Sequence, residues 1–147
     1  AWLSRNSNKK STLKGWFASL GGQVVEVRVE GEARYLLAEH EDELAATQPS
    51  RATCLLGAFD QFVLGPGTKD THMLANEHRS RVSKAAGWIA PVLTQGGRIT
   101  GVWEMDDGDL VVTPFPGEQA PSSKALEDAA ARLAAVHGLA KVTPRVG

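Results

Sequence analysis

Residues 87–115 read GWIAPVLTQGGRITGVWEMDDGDLVVTPF, and this stretch decides the architecture of the second half of the chain. Three strand-like segments, Trp88 to Leu93, Ile99 to Met105 and Leu110 to Phe115, are parted by Gln95-Gly96-Gly97-Arg98 and by Asp106-Asp107-Gly108-Asp109. Glycine at each break supplies the positive φ that a tight hairpin turn demands, so an antiparallel β-meander is expected. Just upstream, LLGAFDQFVLGPG at residues 55–67 predicts a strand at about 54–58 and a helical turn around Gln61 to Leu64. A helix over about 76–84 then leads into the meander. Beyond it, Ser122 caps a long helix whose apolar side is Ala125, Leu126, Ala129, Ala130, Leu133 and Val136. Ala140 to Thr143 adds a last strand.

The first half has a different rhythm. Leu13, Trp16, Phe17 and Leu20 fall at i, i+3, i+4 and i+7, which places large apolar groups on one helix face. Ser7 or Asn8 can cap that helix, and Gly21-Gly22 ends it in the left-handed conformation. In the strand that follows, Val25, Val27 and Val29 share one face while Glu26, Arg28 and Glu30 share the other. Gly31 turns the chain, and Ala33 to Ala38 returns with Tyr35 and Leu37. Helix followed by hairpin is the closing unit of a winged helix. Residues 39–53 form a short acidic helix and a Pro-Ser connection, the expected seam between residues 1–48 and 49–147. The expected fold class is α+β: a partial winged helix, then an antiparallel meander or barrel-like domain with a long C-terminal helix.

At 147 residues the chain holds one domain or two small ones, and 42% hydrophobic with 22% charged residues is ordinary for a globular protein. A net charge of −1 exerts no global pull on nucleic acid or membrane, so a polyanionic partner must be met by a local patch. The lone cysteine, Cys54, excludes an internal disulfide and a multi-cysteine zinc site. No apolar run approaches the ~18 residues of a membrane span, and no signal-peptide pattern appears, so the cytoplasm is the expected compartment. The opening Ala-Trp-Leu reads as a cut inside a longer protein.

Local patches exist. Arg5, Lys9, Lys10 and Lys14 all precede the first acid, Glu26. Lys10 and Lys14 lie one turn apart, on the side expected to point away from Leu13 and Phe17, with Asn6, Asn8, Ser11 and Thr12 beside them. Such a helix buries one face and offers cations and hydrogen-bonding groups to phosphates and base edges on the other. A plain solvated face is the competing reading, and Glu26, Glu30 and Glu32 make the wing itself a poor phosphate binder. A second group comprises Arg79, Arg81, Lys84 and Arg98, the last at a hairpin tip from which a cation can reach into a groove. Asp60 is either the N-cap over Phe62-Val63-Leu64 or a functional carboxylate. His40, His72, His78 and His137 are scattered without metal-ligand spacing, and Asp106, Asp107 and Asp109 suit a turn better than a calcium loop. No G-x-S-x-G elbow and no phosphate-binding GxxxxGK[ST] loop occurs, so no catalytic residue, metal or cofactor is expected.

The wording of four segments goes further: GWFASLGGQVVEVRVEGEARYLLA (15–38), LLGAFDQFVLG (55–65), RVSKAAGWIAPVL (81–93) and GRITGVWE (97–104). Together they resemble the C-terminal portion of winged-helix DNA-binding proteins related to the AlkZ-like DNA glycosylases. The resemblance implies a longer parent whose tandem winged-helix units cradle duplex DNA and are closed by a barrel-like C-terminal domain. Glycosylases of this group excise alkylated or crosslinked bases with a Gln-x-Gln or Gln-x-Asp pair in an upstream winged helix. That pair is missing here, since none of Gln23, Gln48, Gln61, Gln95 and Gln119 has Gln or Asp two positions on. The resemblance also nominates Gly96, Gly97 and Arg98 as a groove-contacting hairpin. The expectation is therefore a DNA-binding fragment, contacting double-stranded DNA through Arg5, Lys9, Lys10, Lys14 and Arg98 without catalytic residues of its own. Two alternatives stand beside it: the DNA-gripping part of a glycosylase, and a protein–protein or homodimerisation module.

Overall fold

A computed structural model describes residues 8–106 and 109–147. The chain divides into two units, one ending at Pro49 and the other running from Ser50 to Gly147.

In the first unit, helix α1 (Lys10–Leu20) leads through a 3-10 turn (Gly21–Gln23) into an antiparallel hairpin of β1 (Val24–Val29) and β2 (Glu32–Leu37). A second 3-10 turn (Ala38–His40) and the short helix α2 (Glu41–Ala46) complete it. Gly21 does terminate α1, but its φ of 52° comes with a ψ of −129°, a glycine-only region rather than the left-handed helix. Neither expected cap is seen at the other end: Lys9 occupies the N-cap without a side-chain bond, and Ser7 lies outside the described residues. The register decides which face of the hairpin is which. Glu26 pairs with Tyr35 and Val24 with Leu37, whereas Val25 pairs with Leu36. Directly opposed residues share a face, so Tyr35 and Leu37 stand with Val24, Glu26 and Arg28, not with Val25, Val27 and Val29.

The second unit is built on one curled five-stranded sheet, in the order β3 (Thr53–Leu56), β4 (Val92–Gln95), β5 (Arg98–Asp106), β6 (Asp109–Pro114), β7 (Thr143–Val146). The β4–β5 turn is made at Gly96 (φ 58°) and Gly97 (φ 81°), the paired positive angles of a two-residue hairpin turn. Asp106 pairs with Asp109 across the next turn, whose residues 107 and 108 are outside the described set. The β4 strand starts four residues later than the apolar run suggests. Pro91 has no N–H for a sheet interior, so in a central strand it stands just ahead of the ladder. The last strand also differs from expectation: β7 begins at Thr143 and runs parallel to β6, because α5 (Ser123–His137) carries the chain back across the sheet.

Both faces of this sheet are covered. On one, Leu126, Ala130, Leu133 and Ala134 of α5 pack on Leu93, Trp103, Leu110 and Val112. On the other, Val63 of the short helix α3 (Gln61–Leu64), Met73, Leu74, Val82 and Ile89 pack on Val92, Ile99 and Phe115. The helix expected over 76–84 divides into a 3-10 turn (Asn76–His78) and α4 (Arg79–Val82), ended by the bridge between Ser83 and Ile89. Ser122 caps α5 as its sequence demands, its Oγ accepting from the Ala125 N–H at 3.2 Å.

Among the glycines described, Gly101 has the least room for a side chain. A Cβ there would sit 2.6 Å from the Thr113 carbonyl oxygen and 3.0 Å from Pro114 Cα, both main-chain atoms that cannot swing aside. Gly101→Ala is therefore expected to destabilise the chain by about 1–3 kcal/mol. Urea denaturation of the variant beside the parent measures this, and equal midpoints would show that β5 and β6 can part at no cost.

Candidate functional site

The residues singled out by sequence fall into separate places. Arg5 lies outside the described residues. Lys9, Lys10 and Lys14 come together at the start of α1, all exposed, with no acid in the first turn of the helix. Among the described residues none of the three pairs with a carboxylate. Their charge adds to the partial positive charge of the helix N-terminus, giving a concentrated cationic end. Lys14 corrects one expectation: it lines a groove of about 400 Å³ together with Leu13, Phe17, Val24 and Tyr35 instead of facing away from them. Residues three apart are neighbours on a helix, so Lys14 and Phe17 share an edge.

That groove is shaped by one contact chain. Phe17 meets Tyr35 edge to face, ring centroids 5.3 Å apart, and the Tyr35 hydroxyl donates to Glu26 Oε2 at 3.0 Å. The hydrogen bond to Glu26, and then the negative charge of that carboxylate, hold the Tyr35 phenol above its ordinary pKa. The carboxylate is thus engaged within the hairpin, and Glu32 is engaged likewise with Arg34.

Arg98 belongs to the second unit. It is the first residue of β5, exposed, paired with Gln95 across the Gly96-Gly97 turn. Gln95 anchors this hairpin, its Nε2 donating to Thr100 Oγ1 at 3.1 Å and to the Gln119 carbonyl at 2.7 Å. Asp60 is the N-cap of α3: its Oδ1 accepts from the Phe62 N–H at 2.8 Å. It also borders a concavity of about 310 Å³ with Cys54, Arg132 and His137, where Arg132 is committed to the Thr53 carbonyl at 2.7 Å. Of the remaining cations, Arg81 and Lys84 line one groove with Trp88, while the Arg79 Nε is buried without a partner among the described residues. No cluster of three His, Cys, Asp or Glu able to hold a metal occurs among the described residues. Nor is any described helix long and apolar enough to cross a membrane. Sequence reasoning placed Trp88 at the start of a meander strand, whereas β4 begins at Val92; the Ala86-Gly87 step before it and Pro91 after it were the available signals.

Comparison with known proteins gives a consistent result. Residues 1–136 match the family described as DNA glycosylase AlkZ-like. Over 145 residues the chain is 51% identical to the interstrand DNA cross-link repair glycosylase of Streptomyces sahachiroi, a match covering 99% of this chain and 39% of that protein. The solved structure of Streptomyces sahachiroi DNA glycosylase AlkZ superposes with a TM-score of 0.93 at 51% identity, again over 99% of this chain and 39% of that one. The chain thus spans about two fifths of the length of the relative it matches.

Two measurements test this geometry. Tyr35 is the single tyrosine, so an alkaline absorbance titration reports it alone. Its midpoint is expected above 10.0 and is expected to drop in Glu26→Gln. Because the folded pKa is raised, the contact stabilises the hairpin below pH 10.0 and that contribution is lost as the pH climbs through the folded value. A midpoint indifferent to Glu26→Gln would remove the contact. At Asp60, replacement by alanine is expected to cost about 1 kcal/mol, or roughly 4–8 °C in Tm for a unit of this size, with Asp60→Asn nearly neutral. Differential scanning calorimetry of the pair decides whether the carboxylate serves as a cap.

Proposed function

The chain belongs to the AlkZ-like DNA glycosylase family, and from that premise we propose that it is a duplex-DNA-binding portion without catalytic residues of its own. In this reading residues 1–48 are the last winged-helix unit and residues 49–147 the barrel-like domain. The helix α1 acts as the recognition element, and β1–β2 is the wing. The observation that carries the reading is the cationic end of α1, where Lys9, Lys10 and Lys14 stand exposed and unpaired among the described residues. Phosphates are the natural partners of such a cluster, and Ser11 and Thr12, exposed in the first turn, supply hydroxyls within reach of the same strand. Arg5 extends the cluster along the sequence, and Arg98 contributes a second contact from its hairpin tip.

The pairing of Glu32 with Arg34 supports the same reading, because the guanidinium offsets a charge that would oppose a nearby phosphate. Glu26, bonded to the neutral Tyr35 hydroxyl, keeps its charge and counts against a phosphate at the wing. The cytoplasm is the matching compartment. Homodimerisation gains no support from the comparisons.

A second reading rests on the relative's own description as an interstrand DNA cross-link repair glycosylase. The intact protein would then remove crosslinked or alkylated bases, with this portion gripping the lesion-bearing duplex. In this reading base removal falls to residues elsewhere in such a protein, in keeping with the lack of Gln-x-Gln and Gln-x-Asp in the chain.

Fluorescence anisotropy with a labelled duplex tests the leading reading. Affinity is expected to fall with salt at a slope of about −3 to −4 in log–log form, one counterion per phosphate contact. Reversal of Lys9, Lys10 and Lys14 to Glu is expected to weaken binding at least about tenfold near 50 mM salt. A duplex bound equally well by this triple variant would reject α1 as the contact.

A further inference from the structure

We propose that the groove beside Trp88 is a stacking site for one unpaired nucleotide of a DNA strand, with Arg81 and Lys84 holding the adjoining phosphate. The proposal rests on the DNA-binding reading above and adds to it a second kind of contact, on a different unit.

Three observations meet at this groove. The first is an aromatic pair outside both cores. Trp88 is 51% exposed and Phe59 42% exposed, yet their rings meet edge to face with centroids 5.0 Å apart. The contact fixes the indole without covering it. The second is backbone strain on both sides of that contact. Phe59 itself has φ 57° and Ala86, two residues before Trp88, has φ 54°, values that side-chain-bearing residues seldom adopt. The turn at Ala86 is held by its flanks: the Lys84 N–H donates to the Trp88 carbonyl at 2.8 Å and the Ala90 N–H to the Val82 carbonyl at 2.9 Å. Strain kept beside an exposed ring points to a use for the ring in that position.

The third observation is charge. Arg81 and Lys84 line the same groove of about 450 Å³, and neither is paired with a carboxylate among the described residues. Val102, Val111 and Thr113 of β5 and β6 line it as well. Glu104 lines the groove too and offers an acceptor for an N–H of a base. A flat π surface, two free cations and one acceptor match a nucleotide. In a duplex the base faces are hidden by stacking, so only an unpaired base can lie on the indole.

The test uses the chain as it stands and three labelled probes: an oligothymidylate of about twelve nucleotides, an abasic strand of the same length, and a duplex. Trp88→Leu is expected to weaken oligothymidylate binding about tenfold while leaving the abasic strand and the duplex bound as before. Trp88→Phe keeps a ring and is expected to retain most of the affinity. Reversal of Arg81 and Lys84 to Glu is expected to weaken both single strands. Oligothymidylate bound equally by Trp88→Leu and parent, or an abasic strand bound as tightly as oligothymidylate, would overturn the proposal. The two readings fail separately: duplex binding that depends on Lys9, Lys10 and Lys14, with oligothymidylate indifferent to Trp88, rejects the stacking site alone. Thermal melting checks that Trp88→Leu is folded, and Trp88→Phe carries the comparison if it is not.

Discussion

The second unit depends on how a buried indole finds a partner for its one polar atom. Trp103 is buried in the middle of β5, against α5, where an unsatisfied N–H would cost about 1–3 kcal/mol. The cost is avoided by donation to the Leu56 carbonyl at 2.9 Å. Leu56 is the last residue of β3, and β4 lies between the two strands, so this bond spans the sheet where the main-chain ladder does not. It also fixes the point at which the chain leaves β3 for Gly57, Phe59 and Asp60. The left-handed Phe59 and the Asp60 cap follow within four residues of that anchor. The exposed Phe59–Trp88 contact is therefore built outward from the core rather than laid over it.

In the first unit the corresponding role falls to Tyr35. Its ring meets Phe17 on α1 and its hydroxyl meets Glu26 on β1, so one side chain joins helix and hairpin. Nothing in α1 is fully buried, and Trp16 and Phe17 each remain about half exposed. The helix is held by a small number of specific contacts; Lys9 and Lys10 lie at the end those contacts do not use, while Lys14 borders the groove they shape.

Much of this was legible in the sequence because short-range physics dictates it. The Gly96-Gly97 pair admits only a two-residue turn, Ser122 caps α5, and Val25, Val27 and Val29 of β1 alternate with charged residues. What was not legible depends on longer range. That Tyr35 stands on the Glu26 face follows from register, which a single strand does not reveal. Trp88 looked like the first residue of an apolar strand, and only the position of β4 in the middle of the sheet makes Pro91 exclude it. The parallel direction of β7 follows from α5 crossing the sheet, an outcome composition does not contain. At the candidate sites, the cations were readable as residue types, but whether a carboxylate had already claimed each one was not.

The sheet order has a consequence for how the second unit assembles. Strands β4, β5 and β6 are joined by turns of two residues and meet almost without searching. By contrast β3 reaches its partner only after the excursion from Gly57 to Pro91, as the pairing of Thr53 with Gln95 shows. Closing that loop is entropically unfavourable until the layer of α3, α4 and the Trp88 loop has packed beneath it. The meander is thus expected to form first, with β3 and the aromatic corner that follows it joining later. That corner is then expected to open more readily than the meander, its main-chain amides exchanging with solvent sooner.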